Sequence, residues 1–233
     1  MTSITSDGTV TLKKPSIPYG ILNGKRFYLL NFLSELDQEG EYVIIDDMVY
    51  VIPPEPLVNY DDLILSVTDQ IFTISSNAHQ FHNLQLEMCR GIAISLSPGL
   101  NYIVVNNTVI SNTGNVGINM SDCMYGCKIL NCTMYEMGHG GCIVSGGNRN
   151  LLQATDFLIM NNTIFNFTRI GKTYRPALSI GGVGVTVTHN VMHTASHSAI
   201  IHRGNNFEIS FNEIYDVCKA MGDAGAIYSG RDW

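Results

Sequence analysis

Apolar and small residues recur along the chain in short alternating segments from about residue 91 onward. Segments of this kind cover residues 91–95, 117–121, 141–145, 177–181, 199–203 and 226–230. Each begins with glycine or alanine and then alternates, which is typical of β-strands with one buried face. The alternation directs one set of side chains outward, namely Ala93, Asn119, Ile143, Ser179, Ile201 and Tyr228.

A second set of segments combines an apolar strand with an asparagine and a further apolar residue. Aligned on Val109, Met134, Ile164, Met192 and Ile214, these segments are 25, 30, 28 and 22 residues apart. One position of the alignment holds Asn107, Cys132, Asn162, Asn190 and Asn212. Asparagine accepts left-handed backbone and bends the chain, and asparagines stacked ~4.8 Å apart can bond to one another as a ladder. Two strands per repeat at a fixed offset predict an all-β, right-handed parallel β-helix, a solenoid.

The first 60 residues follow a different pattern. Residues 42–52 are predicted to form a β-hairpin that turns at Asp46 and Asp47, and prolines 53, 54 and 56 then block further strand pairing. The sequence therefore predicts an N-terminal β-element over residues 1–60 and the β-helix over residues 61–233. We expect the β-helix to be truncated at its C-terminal end.

Composition narrows the functional classes. Hydrophobic residues make up 45% of the chain and charged residues 14%, which favours a packed body over a disordered one. The formal charge is −7 and no Lys/Arg cluster occurs, so nucleic acid is not an expected partner, and a neutral substrate is favoured over an anionic one. No apolar run reaches the ~18 residues of a membrane span, and residues 1–12 lack a signal peptide. The six cysteines are too few for a disulfide scaffold, and Cys123, Cys127, Cys132 and Cys142 are expected to be buried thiols.

A column of loop residues precedes the first set of strands. It comprises Cys89, Asn115, His139, Arg175, His197 and Asp223. Because equivalent residues of successive coils lie one strand spacing apart, we expect Arg175, His197 and Asp223 within ~10 Å of one another. A guanidinium, an imidazole and a carboxylate in that space suit acid–base chemistry on a bound substrate. Glycines 222 and 225 leave Asp223 accessible, so it is the sharpest candidate.

Other residue clusters carry less chemistry. Arg231, Asp232 and Trp233 combine a cation, a carboxylate and the one tryptophan, a set that can grip sugar hydroxyls and stack on a sugar ring. His189, His193 and His197 are spaced by four residues, as on a metal-binding helix, but they fall in strands and turns, where the side chains scatter. We therefore expect neither a metal site nor a cofactor.

Segments 174–184, 189–200, 211–217 and 222–233 closely resemble the right-handed parallel β-helix proteins of pectate-lyase-like, carbohydrate-active type. The similarity is closest to the β-helix glycoside hydrolases described as α-fucosidases or xylanases, and it is most specific over Gly222–Trp233. In that family two aspartates act as acid and as base or nucleophile. Asp223 matches the first by motif, the second is expected in a later coil, and Asp232 is the candidate within this chain. The resemblance also favours a secreted, extracellular protein.

The resemblance implies a glycan or polysaccharide substrate. Its expected contacts are Arg175, His193, His197, Arg203, Tyr228, Arg231 and Trp233. Two alternatives stay open: a polysaccharide lyase or epimerase, for which Arg175, Arg203 or Arg231 could supply cations, and a carbohydrate-binding solenoid without catalysis. Enzymatic activity is therefore an open question, with a glycosidase favoured.

Overall fold

The computed structural model describes residues 3–11, 29–56 and 63–229. The chain divides into two compact units, Met1–Leu63 and Ile64–Trp233. In the part of the chain that the structure describes, no helix is long and apolar enough to cross a membrane.

The first unit contains short antiparallel elements. Strand β1 (Ser3–Ile4) pairs with β2 (Val10–Thr11), a 3-10 helix covers Leu33–Glu35, and β3 (Tyr42–Ile45) pairs with β4 (Met48–Val51). Asp46 and Asp47 connect β3 and β4 with φ of 47° and 64°. Two successive positive φ values are what a two-residue hairpin turn requires, and aspartate tolerates them better than most residues. The predicted hairpin is confirmed.

The second unit is built from three parallel sheets. The first sheet contains β5 (Gln70–Ile74), β8 (Ile92–Leu96), β11 (Ile118–Cys123), β14 (Cys142–Gly146), β17 (Leu178–Val183), β20 (Ile200–Asn205) and β23 (Ile227–Ser229). The second contains β6 (Gln80–His82), β9 (Val104–Asn106), β12 (Lys128–Leu130), β15 (Phe157–Met160), β18 (Val185–Thr188) and β21 (Glu208–Ser210). The third contains β7 (Gln85–Glu87), β10 (Val109–Ser111), β13 (Thr133–Tyr135), β16 (Thr163–Phe165), β19 (Val191–His193) and β22 (Glu213–Tyr215).

Each coil of the chain adds one strand to each sheet. The strands visit the first, second and third sheets in order, and each strand pairs in parallel with those of the neighbouring coils. This arrangement is a right-handed parallel β-helix, as the sequence predicts. The apolar residues of all three sheets meet inside it in one continuous core.

The register of the first sheet agrees with the prediction in all but one coil. Ile118, Cys142, Leu178 and Ile200 align as expected, but Ile94 stands opposite Ile118, where the sequence alignment placed Ile92. A slip of two residues leaves the inward and outward faces unchanged, so alternation alone cannot detect it. Two predictions for this coil were wrong.

The loop at Asn115 bonds to Gly91, which removes Cys89 from the predicted column. Ala93, expected on the outer surface, is fully buried.

Two neighbouring columns of residues form the bend between the second and third sheets. The exposed column consists of left-handed residues with φ from 48° to 58°: Asn83, Asn107, Asn131, Asn161, His189 and Phe211. The next residue in each later coil forms the buried ladder, in which Asn190 Oδ1 accepts from Asn162 and Asn212 Oδ1 accepts from Asn190. The sequence alignment placed Asn107 on the ladder, but Thr108 holds that position because Val109 pairs with Thr133. The residue that bends the chain and the residue that hydrogen-bonds successive coils are therefore two different, adjacent residues.

The cysteines differ partly from expectation. Cys123 and Cys127 form a disulfide, which corrects the prediction that they are buried thiols. Cys132 and Cys142 are buried free thiols, as predicted, and Cys89 is a buried free thiol as well.

Candidate functional site

A groove of about 220 Å³ lies on the outer face of the first sheet. Its floor is β17, where Ser179 and Gly181 point outward. Ile143 and Ser145 of β14 stand on one side of that floor, and Ile201 and Arg203 of β20 stand on the other. We call this cavity the first-sheet groove.

The groove exists because β17 presents smaller outward residues than its two neighbours. Parallel pairing stacks Ile143, Ser179 and Ile201 in one column, and Ser145, Gly181 and Arg203 in the next. The two walls are two strand spacings apart, or roughly 9.6 Å. The bottom of the groove is therefore one strand wide and is fixed by the sheet itself.

The loop before β17 forms one end of the groove. Tyr174 and Pro176 line it there, and the Tyr174 ring lies 5.0 Å from the ring of His197, centroid to centroid. Aromatic and proline surfaces at the rim, with hydroxyls and a guanidinium at the walls, give a cavity that is partly apolar and partly rich in hydrogen-bonding groups. Such mixed lining is typical of small-molecule sites.

His197 is buried beside this rim. Its side chain is 1% exposed, and its Nδ1 atom has no hydrogen-bond partner among the described residues. Burial lowers the pKa of His197, and the negative charge of Asp223 partly opposes this shift. The hydroxyl of Ser198 is buried without a described partner as well. Orphaned buried polar atoms usually mark a place where water or a ligand binds.

Three of the predicted residues lie at equivalent places on successive coils. Leu178, Ile200 and Ile227 are aligned, so Arg175, His197 and Asp223 all precede the first sheet by three or four residues. Arg175 is exposed and acts with burial to lower the pKa of His139, its neighbour in the preceding coil. Asp223 is exposed and acts on His197. The arrangement brings the three onto one flank of the β-helix, beside the first-sheet groove.

The remaining predicted residues have different positions. Arg203 lines the groove, and Tyr228 is paired with Ile201 in the next coil, on the same outer face. Arg231, Asp232 and Trp233 lie outside the described residues.

The structure does not bring His193 to the groove. It lies on the outer face of the third sheet, in a stack of four rings formed by Tyr135, Phe165, His193 and Tyr215. Their centroids are 5.1, 5.1 and 4.7 Å apart, and their planes lie within 8° of parallel. Both faces of the His193 ring are covered, so a sugar cannot stack on it.

Several residues at the groove were not identified from the sequence. Tyr174 lies in a loop, where no period indicates which side chain turns toward the sheet. Ser145 could have been identified, because it shares a column with Arg203. Asp122 donates its backbone N–H to Ser145 Oγ (2.9 Å), and its Oδ1 accepts from the same hydroxyl at 3.4 Å, so a carboxylate lies beside this groove residue.

Asp122 cannot pair with Asp223 as acid and base. The first lies in β11 and the second precedes β23, four coils further along the sheet. Four spacings correspond to about 19 Å along the axis. Glycosidases separate their two carboxyl groups by only about 5 to 9.5 Å. Asp122 is therefore too far from Asp223 to form a glycosidase-type carboxylate pair with it.

The histidines are distributed over different parts of the coil. His189 stacks on Phe211 at the bend between the second and third sheets, and His202 lies in the inward column of Ile180 on the first sheet. Within the described ranges, no three His, Cys, Asp or Glu residues are grouped closely enough to hold a metal ion.

Comparison with known protein families, with curated proteins and with solved structures gave no match.

Proposed function

We propose that the protein binds a glycan in the first-sheet groove and hydrolyses a glycosidic bond there, with Asp223 as one catalytic carboxylate. The observation that carries the proposal is the groove over Ser179 and Gly181, flanked by Tyr174 and Arg203. The β-helix fold is compatible with this function, since carbohydrate-related proteins include β-helices.

The lining suits a sugar chemically. Tyr174, Pro176 and Ile201 offer apolar surface to the C–H faces of a sugar ring, while Ser145 and Arg203 offer hydrogen-bonding groups to its hydroxyls. A volume of 220 Å³ is below the roughly 300–1,000 Å³ typical of pockets for drug-sized ligands. The groove therefore suits one sugar unit, with the rest of the glycan in solvent.

Hydrolysis requires a donor and an acceptor of protons. Asp223 acts electrostatically on His197, whose ring contacts the groove residue Tyr174. Because burial favours its neutral form, His197 at neutral pH can accept or relay a proton. We assign the second carboxylate to Asp232, nine residues beyond Asp223, on the strength of the motif that the two share.

The binding part of the proposal is tested by filling the groove. An added Cβ on Gly181 would lie 3.7 Å from the Arg203 carbonyl oxygen and 3.3 Å from Ser145 Cβ, a close contact that requires Ser145 to shift by a few tenths of an ångström. We expect Gly181→Val to weaken binding of neutral xylo- and fuco-oligosaccharides at least about tenfold in calorimetric titration. The matched control is Thr186→Val, which places valine on the outer face of β18 of the second sheet. Unchanged binding by the Gly181 variant would exclude the groove as the site.

The catalytic part is tested by Asp223→Asn. We expect loss of reducing-end release with glycan affinity within about threefold of the original. Full activity in this variant would refute the assignment of Asp223. Groove-dependent binding without hydrolysis by the unaltered protein would instead favour a carbohydrate-binding solenoid, and unsaturated products would favour a lyase.

A further inference from the structure

A second groove, of about 390 Å³, lies on the bend that leads from the third sheet back to the first. Its lining includes the cations Arg169, Lys172 and Lys219 and the carboxylate of Glu136. Three of the 13 lysines and arginines of an otherwise acidic chain meet here. We call it the basic groove.

The floor of the basic groove is formed by a single coil, as the floor of the first-sheet groove is formed by a single strand. Asn166 bonds through its backbone to Thr194, and Ala195 bonds to Asp216, so the segment Thr194–Ser196 lies between two neighbouring coils. That segment carries small side chains and forms the floor. Arg169 and Lys172 stand on one side, and Lys219 stands on the other. Positive charge therefore faces the floor from two directions, across roughly 9.6 Å.

The ammonium group of Lys172 is held in place by the protein. It donates to the carbonyl oxygens of Thr168 and Arg169, at 2.9 Å each, which leaves one of its three N–H groups for another acceptor. The Ser196 hydroxyl bonds to the Lys172 carbonyl oxygen at 3.0 Å and fixes the same loop against the floor. Within the described residues no carboxylate lies at ion-pair distance from Lys172. An ordered cation without a counter-charge is a ready anion site.

Arg169 and Lys219, the other two cations, each have one acidic neighbour. Arg169 is 3.8 Å from Glu136, which is too long for a hydrogen bond, and the other Glu136 oxygen accepts from Asn166. Lys219 is 2.6 Å from Asp216, and this contact is the main cause that lowers the Asp216 pKa. Three cations and two carboxylates leave a local charge of about +1, which suits a singly charged ligand.

We propose that the basic groove binds the sulfate ester of a sulfated saccharide. Donors that approach from both sides match a tetrahedral oxyanion, whose oxygens point in several directions, better than a planar carboxylate, whose oxygens lie on one edge. A sulfate ester carries one negative charge, whereas a phosphate monoester carries nearly two. A saccharide suits the remaining surface, because Asn166, Thr168 and Ser196 are polar and Ala195 is the one apolar side chain of the lining.

The test is calorimetric titration of the full chain with a sulfated tetrasaccharide, with its chemically desulfated twin and with inorganic sulfate. We expect the sulfated sugar to bind at least tenfold more tightly than either of the others, and more weakly as salt is added. Lys172→Gln and Lys219→Gln should each reduce this affinity about tenfold. Lys219 makes no bond to a loop carbonyl, so its variant keeps the test valid if the Lys172 variant fails to fold.

The matched control is Lys128→Gln, which removes an exposed cation from β12 of the second sheet. We expect its affinity to stay within about twofold of the original. Equal losses in Lys128→Gln and Lys219→Gln would show a diffuse charge effect and overturn the site. Equal affinity for inorganic sulfate and the sulfated sugar would overturn the saccharide. Gly181→Val should leave sulfate binding unchanged, so this proposal and the proposed function fail separately.

Discussion

Replacement of Asn190 by alanine tests the buried ladder that joins successive coils. The Asn190 side chain is fully buried. Its Nδ2 donates to the carbonyl oxygens of Ile159 (3.1 Å) and Thr188 (3.0 Å) and to Asn212 Oδ1 (2.9 Å). Its Oδ1 accepts from the backbone N–H and the Nδ2 of Asn162, at 3.0 and 2.9 Å. One side chain thus connects three coils.

The size of the effect follows from what the substitution leaves behind. In Asn190→Ala the backbone N–H of Asn162 loses its acceptor in the interior, and a buried unsatisfied donor costs about 1–3 kcal/mol. The further lost hydrogen bonds add about 1 kcal/mol. We therefore expect the free energy of unfolding to fall by about 2–4 kcal/mol. That is a large part of the 5–15 kcal/mol by which folded domains are typically stable.

The matched control is Asn161→Gly, one coil earlier in the exposed column. Asn161 has a φ of 56°, which glycine adopts without strain, and its Nδ2 bonds to Asn131 Oδ1 at 2.8 Å near solvent. We expect a loss of less than about 1 kcal/mol. Urea unfolding followed by far-ultraviolet circular dichroism measures both variants. Equal losses would refute the view that burial, and not the mere presence of an asparagine, gives the ladder its strength.

Two further predictions concern titrating side chains. Burial lowers the pKa of His139 and His197 in the folded state, so the unfolded chain binds more protons just below pH 6.5. We therefore expect the free energy of unfolding, measured by urea titration, to fall as the pH drops from 7 to 5. The double variant His139→Gln/His197→Gln should show a weaker dependence on pH. A slope that persists in the double variant would contradict this assignment. Burial raises the pKa of Cys132 to about 11 and that of Cys142 further. We expect iodoacetamide at pH 8 to label the partly exposed Cys218 in the folded protein, and to label Cys132 and Cys142 only after unfolding. Mass spectrometry identifies the labelled residues. Early labelling of Cys142 would show that the core opens.

The strands and their faces could be predicted because each coil repeats the same alternation. The errors occur where two registers satisfy that alternation equally well. Ile92 and Ile94 point to the same side, so either could be aligned with Ile118. Asn106 and Asn107 immediately precede Thr108, and asparagine content alone does not show which residue faces the ladder.

The candidate site could be predicted only where it belongs to the repeat. Arg203 and the positions of Arg175, His197 and Asp223 follow from the register of the first sheet. Tyr174 does not, because its loop has no counterpart of equal length in the neighbouring coils, and loop conformation depends on contacts that no sequence period records. His193 was expected at the substrate from the family resemblance, but its strand assigns it to a different sheet.

The bends show how much of this sequence the fold leaves undetermined. The left-handed column begins with asparagines and then contains His189 and Phe211, of which Phe211 is 80% exposed. Left-handed backbone costs such residues about 1–2 kcal/mol, so the stacked coils impose the conformation whatever residue is present. The outer face of the first sheet is similarly permissive, since it accepts isoleucine at positions 143 and 201. Gly181 has no positive φ that would demand glycine. Small residues at the floor of the groove are therefore not required by the fold, and this freedom makes them the part of the sheet most informative about a ligand.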